Sequence, residues 1–165
     1  MLIRPEAEGD EAAIRQVTEA AFAVAEHRSG TEAAIVEGLR AAGRLTLSLV
    51  AVAGGEVIGH VAFSPVTVGG EEVGWFGLGP LSVRPERQGE GVGSALVREG
   101  LARLRRAGAA GCVVLGDPGY YRRFGFEADP ALTFAGVPAA YFMRLVIAGA
   151  APAGAVVYQP AFYQA

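Results

Sequence analysis

A glycine-rich segment between a β-compatible run and a helix-forming run constrains this 165-residue chain more than any other feature. Residues 81–83 favour a strand that Pro85 stops, and the glycines of residues 88–93 (QGEGVG) lead into the helix-forming residues 94–97. Glycine lets a backbone approach a ligand closely. The first N–H groups of a helix have no intrahelical partner and favour an anion. The segment therefore predicts a phosphate site, and a diphosphate is its natural occupant.

Three kinds of phosphate-binding segment place glycines before a helix. A P-loop requires Gly-Lys-Ser/Thr, and this chain has no lysine, because all 14 of its basic residues are arginine. A Rossmann dinucleotide site requires G-x-G-x-x-G directly after a strand. Gly89 and Gly91 fit that pattern and Asp117 favours it, but Ser94 occupies the third position. The third kind, Gln/Arg-x-x-Gly-x-Gly/Ala after Val-x-Pro, matches in full over residues 83–93.

This third pattern resembles the acetyl-coenzyme A motif of the GCN5-related N-acetyltransferases (GNAT). Ile3-Arg4-Pro5, with Asp10 before an apolar-periodic stretch, is similar to that family's first strand and helix. Residues 121–126 (YRRFGF) are similar to its Tyr-x-x-x-Gly-Phe element. One departure is the compressed segment 116–120, where the family often has an asparagine and a full helical turn.

The resemblance implies a single domain over residues 1–165 with an α/β fold, in which helices flank a central mixed, mostly antiparallel sheet. It implies an N-acetyltransferase that moves an acetyl group directly from acetyl-CoA to a primary amine of a small molecule or peptide, with no metal. The alternative is a non-catalytic acetyl-CoA sensor. The residues expected to bind the co-substrate are Leu81, Ser82, Val83, Gln88, Gly89, Gly91, Val92, Gly93 and Ser94.

Composition predicts a small cytoplasmic protein. The net charge of −3 and the scattered arginines give no general attraction to nucleic acid. The N-terminus lacks the apolar segment of a signal peptide, and no run approaches the ~20 apolar residues that span a membrane. Cys112 is the one cysteine, which excludes an internal disulfide and suits a reducing compartment.

The order of elements predicts one mixed sheet with helices on both faces. After a strand at residues 2–4, Asp10 is a plausible cap for a helix, and Thr31 for a second helix that ends before Gly43. Hairpins turn at residues 53–56 and 69–70. The expected strands, the glycine-led helix and the short helix near Tyr121 cover residues 46–52, 57–63, 66–68, 73–83, 94–107, 112–115, 120–124, 141–147 and 155–158.

Acyl transfer requires a held carbonyl, an unprotonated amine and a proton for the departing thiolate. Gly79-Pro80 inside a strand predicts a bulge, which would free backbone groups at residues 81–83, including an N–H near Leu81 for the thioester oxygen. Tyr121 is the candidate acid, because a phenol has a pKa near ~10 and stays protonated at neutral pH. Adjacent Tyr120 is its rival, and a core tyrosine is the structural alternative.

Other polar residues receive no single assignment from the sequence. Cys112 reads as a small buried hydrophobe. Arg122 and Arg123 are candidates for contact with the 3′-phosphate of coenzyme A, and equally for solvated arginines. Candidates for the general base are Glu26, His27, Glu32, His60, Glu71 and Glu72.

The C-terminal tail is apolar and aromatic, where many termini are polar. Left in solvent, Tyr158, Phe162 and Tyr163 would form a patch of the kind that marks an interface. This favours a homodimer. The alternative is that residues 156–158 complete the protein's own sheet, and that Phe162 and Tyr163 dock on a second subunit or over the acceptor pocket.

Overall fold

A nine-stranded sheet organises the chain in the computed structural model, which describes residues 1–24 and 30–164. The strands are β1 (Leu2–Pro5), β2 (Leu47–Ala53), β3 (Glu56–Val68), β4 (Glu71–Val83), β5 (Gly111–Leu115), β6 (Glu127–Ala128), β7 (Leu132–Thr133), β8 (Phe142–Val146) and β9 (Gly154–Val157). Their order is β1-β2-β3-β4-β5-β8-β6, and β9 pairs with both β3 and β7. Among the described strands only β4–β5 and β7–β9 pair in parallel. The mixed, mostly antiparallel sheet is confirmed.

Helices cover both faces of this sheet. They are α1 (Glu11–Ala23), α2 (Glu32–Ala41), α3 (Val92–Arg106) and α4 (Pro118–Tyr121). On one face, α3 buries its apolar side, including Leu96 and Leu104, against β3 residues such as Phe63. On the other, Val17 of α1 and Val36 of α2 pack on the sheet. Apolar residues at helical spacing thus fix each helix on the sheet.

Two element boundaries differ from the sequence prediction. The structure has one strand, β3, where two strands were expected, because Pro65 lies beside a shift in the β3–β4 register that tolerates a missing N–H. Helix α3 begins at Val92 rather than near Ser94, since Gly91 adopts φ +84° and forms the cap itself. The prediction placed the helix start two residues late because glycine pattern alone does not reveal which glycine is left-handed.

Helix α1 begins directly after Asp10, as predicted for a residue at the cap position. The Asp10 carboxylate does not cap the helix through its side chain. It accepts hydrogen bonds from the Arg4 guanidinium at 2.7 Å and from the Ala7 N–H at 2.7 Å, and so ties the first strand to the helix start. Val24 lies beyond the last helical residue and is 64% exposed, so it is no part of the apolar face.

The C-terminal tail folds back onto the protein's own sheet. Val156 and Val157 of β9 pair with Val68 and Thr67 of β3. Tyr158 is buried and Phe162 is half-buried, whereas Tyr163 is 57% exposed. The prediction that residues 156–158 complete the sheet is confirmed for β9, and Tyr158 follows it into the core.

Candidate active site

A break between the two central strands creates the candidate site. β4 and β5 pair only from Trp75–Gly111 to Leu78–Val114. Across β3, the register advances from Phe63–Leu78 to Val61–Leu81, so β4 holds one extra residue at Gly79-Pro80. The predicted bulge is confirmed. Beyond it, residues 79–83 have no partner on the β5 side.

The free edge of β4 can be assigned group by group. The Arg84 N–H donates to Ile58 O of β3 at 2.9 Å. Because backbone groups alternate along a strand, the N–H and C=O of Val83 and Leu81 face the gap, and those of Ser82 face β3. The Gln88 side-chain amide reaches across to Val83 O at 3.2 Å. The backbone groups of Leu81 and Val83 on this free edge of β4 can thus pair with a ligand.

The N-terminus of α3 lies next to that edge. The first helical hydrogen bond runs from the Ala95 N–H to Gly91 O at 3.0 Å, so the N–H groups of residues 92–94 have no partner within the helix. A Cβ at Gly93 would lie 2.9 Å from the Tyr120 hydroxyl. Glycine at this position therefore leaves room for the tyrosine directly over the helix start.

The strand edge and the helix start line one cavity of about 580 Å³, here called the cofactor cavity. Its walls include eight of the nine residues expected to bind the co-substrate: Leu81, Val83, Gln88, Gly89, Gly91, Val92, Gly93 and Ser94. Ser82 is not among them, and its hydroxyl is buried with no hydrogen-bond partner among the residues that the structure describes. The sequence prediction missed Ala21, Phe22 and Arg87, which also line this cavity. Arg87 directly precedes the glycine motif, whereas no motif marks Ala21 and Phe22, since their proximity depends on how α1 packs.

The cavity has the chemistry that acetyl-CoA requires. Unpaired amides at a helix N-terminus suit a diphosphate, and the guanidiniums of Arg87 and Arg123 line the same space. Arg123 is held in place, since its Nε donates to Tyr120 O at 2.9 Å and its guanidinium lies 4.5 Å from that ring. Arg122 does not line the cavity. The free edge of β4 offers partners for the two amides of a pantetheine arm.

The two adjacent tyrosines lie in different surroundings. The Tyr120 hydroxyl lies 3.4 Å from Ser94 Oγ, at the phosphate end of the cofactor cavity. The Tyr121 ring packs against Gly116, where a Cβ would come within 2.4 Å of it, just past the end of β5 where the gap opens. Burial, with smaller contributions from Tyr120 and Cys112, raises the pKa of Tyr121. Tyr121 therefore stays protonated at neutral pH.

His60 belongs to a buried chain of polar residues and does not line the cofactor cavity. Its Nε2 lies 2.8 Å from Ser48 Oγ, and Ser48 also hydrogen-bonds the Glu6 carboxylate. Arg40 holds the same carboxylate through two bonds of 2.9 and 3.0 Å. Burial lowers the pKa of His60 to about 4. A weakly basic, inaccessible imidazole is poorly suited to take a proton from an ammonium group.

The remaining candidates for the base have different positions. Glu72, at the β3–β4 hairpin, pairs with Arg44 at 2.6 Å. Glu26 and His27 lie outside the described residues. Glu32 lines a second cavity.

Cys112 is fully buried, and burial raises the pKa of its thiol, which makes it a poor nucleophile.

The second cavity, of about 250 Å³, begins where the cofactor cavity ends and is here called the acceptor cavity. Pro80 lines the acceptor cavity and the next residue, Leu81, lines the cofactor cavity. Phe22 lines both. The tail supplies Phe162 and Tyr163, so its aromatic residues dock over this cavity.

The described residues are 1–24 and 30–164. Within these ranges, no group of three or more His, Cys, Asp or Glu side chains is arranged to hold a metal ion. Within the same ranges, no helix has both the length and the apolar character of a membrane span.

Comparison with known proteins assigns the chain to a family. The family model for the acetyltransferase (GNAT) domain matches residues 2–128. The chain belongs to the GNAT family. The curated N-acetyltransferase YhbS of Escherichia coli K12 is 47% identical over 128 residues, covering 77% of this chain and 74% of that protein.

Two solved GNAT structures are similar to the whole chain. A Brucella melitensis acetyltransferase in complex with acetyl-CoA is 56% identical, with a TM-score of 0.88 and coverage of 98% of this chain and 97% of that one. Escherichia coli YhbS in complex with CoA is 39% identical, with a TM-score of 0.91 and coverage of 99% and 92%. This GNAT protein is therefore an acyltransferase with acetyl-CoA as co-substrate, and not the non-catalytic sensor considered from the sequence.

Proposed function

We propose that this GNAT protein, as one domain over residues 1–165, transfers an acetyl group directly to a primary amine of a small molecule or peptide. One observation carries the proposal: the two cavities meet at the Gly79-Pro80 bulge and share Phe22 as a wall. A thioester held along the free β4 edge and an amine held beyond the bulge would lie within one site. Such placement makes the reaction effectively unimolecular.

The proposed co-substrate site uses mainly backbone groups. The N–H groups of residues 92–94 and the glycines before them hold the diphosphate, with Gln88 bracing the loop against Val83. Leu81 and Val83 pair with the pantetheine arm, and the Leu81 N–H donates to the thioester oxygen as negative charge develops there. Ser82 pairs with His60 of β3 and so holds this part of β4 in the sheet.

We infer that Tyr121 is the acid and that no acyl-enzyme forms. The amine nitrogen attacks the carbonyl carbon, so that a C–N bond forms while the C–S bond breaks. The amine loses its proton to a base or to water, and the departing thiolate takes the phenolic proton of Tyr121. The Tyr121 ring lies beside Gly116, just past the end of β5, and this position supports the role, although Tyr120 rather than Tyr121 lines the cofactor cavity. Tyr120 lies over Ser94 at the other end of the cofactor cavity.

Replacing Gly91 by aspartate tests this function. The change places a negative charge at the start of α3, so acetyl-CoA binding should be lost in calorimetry and thiol release should stop. Gly70→Asp is the matched control, because Gly70 has φ +86°, close to the +84° of Gly91, and also faces open space. The control introduces the same backbone strain in the β3–β4 hairpin, away from the cofactor cavity. Normal acetyl-CoA binding by a folded Gly91→Asp protein would refute the assignment.

We also propose a cytoplasmic homodimer. Val157 and Tyr163 of the tail remain 47% and 57% exposed, and apolar surface of this kind supports contact with a second copy. The single cysteine supports a reducing compartment.

A further inference from the structure

We propose that the acceptor is a small primary amine with an aromatic ring (an arylalkylamine), and that the C-terminal tail selects it. This inference rests on the proposed function and narrows the acceptor from any small-molecule or peptide amine to one chemical class. It follows from the walls of the acceptor cavity, from the position of its charge and from its size.

Five of the eleven described residues that line the acceptor cavity are aromatic. Phe134 and Phe162 both pack edge-on against Tyr158, with ring centroids 5.3 and 4.9 Å away. Tyr163 closes the arrangement, since its hydroxyl accepts a hydrogen bond from the Tyr158 N–H at 3.0 Å. Rings fixed in this way favour another ring at centroid distances of ~4.5–7 Å. Among these rings the several charged groups of a polyamine would lose hydration without an ion-pair partner for each of them.

The cavity also has a polar side. Among its described lining residues Glu32, in the first turn of α2, is the one with an ionisable carboxylate. The Tyr158 hydroxyl is buried away from the cavity, with no hydrogen-bond partner among the described residues. The polar contact is therefore left to Glu32. Its carboxylate favours an amine and would repel a substrate carboxylate.

The size of the cavity limits the acceptor. Its 250 Å³ is below the roughly 300–1,000 Å³ of ordinary ligand pockets. The bulge closes one side through Gly79 and Pro80, and the tail closes another through Phe162. This space suits an arylalkylamine. It does not offer an extended peptide the open groove that it would need.

The tail is anchored well enough to act as a rigid wall. Ala161 packs on Gly38 of α2, where a Cβ would lie only 3.0 Å from the alanine methyl carbon. The Gln159 side chain donates to Pro65 O at 2.8 Å. Phe162 is therefore held in position before any acceptor arrives, which reduces the entropy lost on binding.

Steady-state kinetics with three amines tests the inference. Phenethylamine should be acetylated with a kcat/KM at least roughly 10-fold above those of ethanolamine and of a peptide with an N-terminal alanine. Phe162→Ala should raise the KM for phenethylamine by roughly 10-fold and leave the KM for acetyl-CoA unchanged. Tyr141→Ala is the matched control, because Tyr141 is also aromatic but is 49% exposed and lines neither cavity. If Phe162→Ala does not fold, Phe162→Leu serves, with a smaller rise expected.

The outcomes separate the two proposals. If the wild-type protein does not bind acetyl-CoA, the proposed function itself is refuted. If acetyl-CoA binds but phenethylamine is not acetylated, or if ethanolamine or the peptide is preferred, the aromatic acceptor is refuted while the transferase stands. An unchanged KM for phenethylamine in a folded Phe162→Ala protein would refute the role of the tail.

Discussion

Replacement of His60 by glutamine tests whether this histidine is a neutral structural residue rather than a base. The imidazole is fully buried, and its Nε2 lies 2.8 Å from Ser48 Oγ. Glutamine can place an amide nitrogen near the position of Nε2 and so preserve the contact with Ser48. It has no proton to gain in the range where a histidine titrates. The variant therefore isolates the titration of His60.

The sign and size of the effect follow from the two pKa values of His60. Burial lowers the folded pKa from 6.5 to about 4. In the window between these values the unfolded chain binds more protons, so stability is fully present above the unfolded pKa and is lost as pH falls toward the folded one. From the difference between the two pKa values, the loss between about pH 7.5 and about pH 4.5 amounts to about 2.5 kcal/mol.

Urea denaturation at both pH values measures this loss. The free energy of unfolding of the wild-type protein, relative to that of His60→Gln, should fall by about 2.5 kcal/mol at the lower pH. Asp129→Asn is the control: its hydrogen bond from the Ala131 N–H lowers the pKa of Asp129 below 3.8, so its contribution is lost only below this window. An equal difference between wild type and His60→Gln at both pH values would refute the reasoning.

Three further predictions concern catalysis and assembly. Tyr121→Phe should lower kcat by roughly 10²–10⁴-fold with little change in acetyl-CoA affinity, and a larger loss of kcat in Tyr120→Phe would transfer the acid role to that neighbour. Cys112→Ala should cost about 1 kcal/mol of stability as a mild core cavity and keep its activity, whereas isolation of an acetylated protein without acceptor would contradict direct transfer. Light scattering should show a dimer for the full chain at micromolar concentration. In a version that ends at Gln159, a monomer that has lost activity would point to the acceptor cavity instead.

Local sequence patterns predicted most of the residues that the structure brings together around the cofactor cavity. Gly91 and Gly93 are diagnostic because a helix start that approaches a ligand tolerates few other residues. Gly79-Pro80 is equally informative, since proline removes a donor and few strands can accommodate that outside a bulge. These features depend on residues close together in the chain, and the structure places them as expected.

The acceptor side was much harder to predict because it depends on packing between distant segments. Nothing near Phe22 indicates that it forms a wall of both cavities. The choice between Tyr120 and Tyr121 depends on which ring meets Gly116 and which meets Gly93, a difference of one helical residue. The hydrogen-bond partner of His60 could not be read from its apolar neighbours, because Ser48 lies on another strand.

The order of these parts along the chain has a consequence for how this protein could be altered. The co-substrate residues 81–94 lie inside the family match, which ends at residue 128. Phe134, Tyr158, Phe162 and Tyr163 of the acceptor cavity all lie after it. Exchange of residues 129–165 between GNAT relatives should therefore change the aromatic part of the acceptor cavity, while Phe22, Glu32 and the acetyl-CoA affinity stay as they are. The residues of the acceptor cavity that follow residue 128 would then be free to change among relatives, while the residues expected to bind acetyl-CoA stay constant.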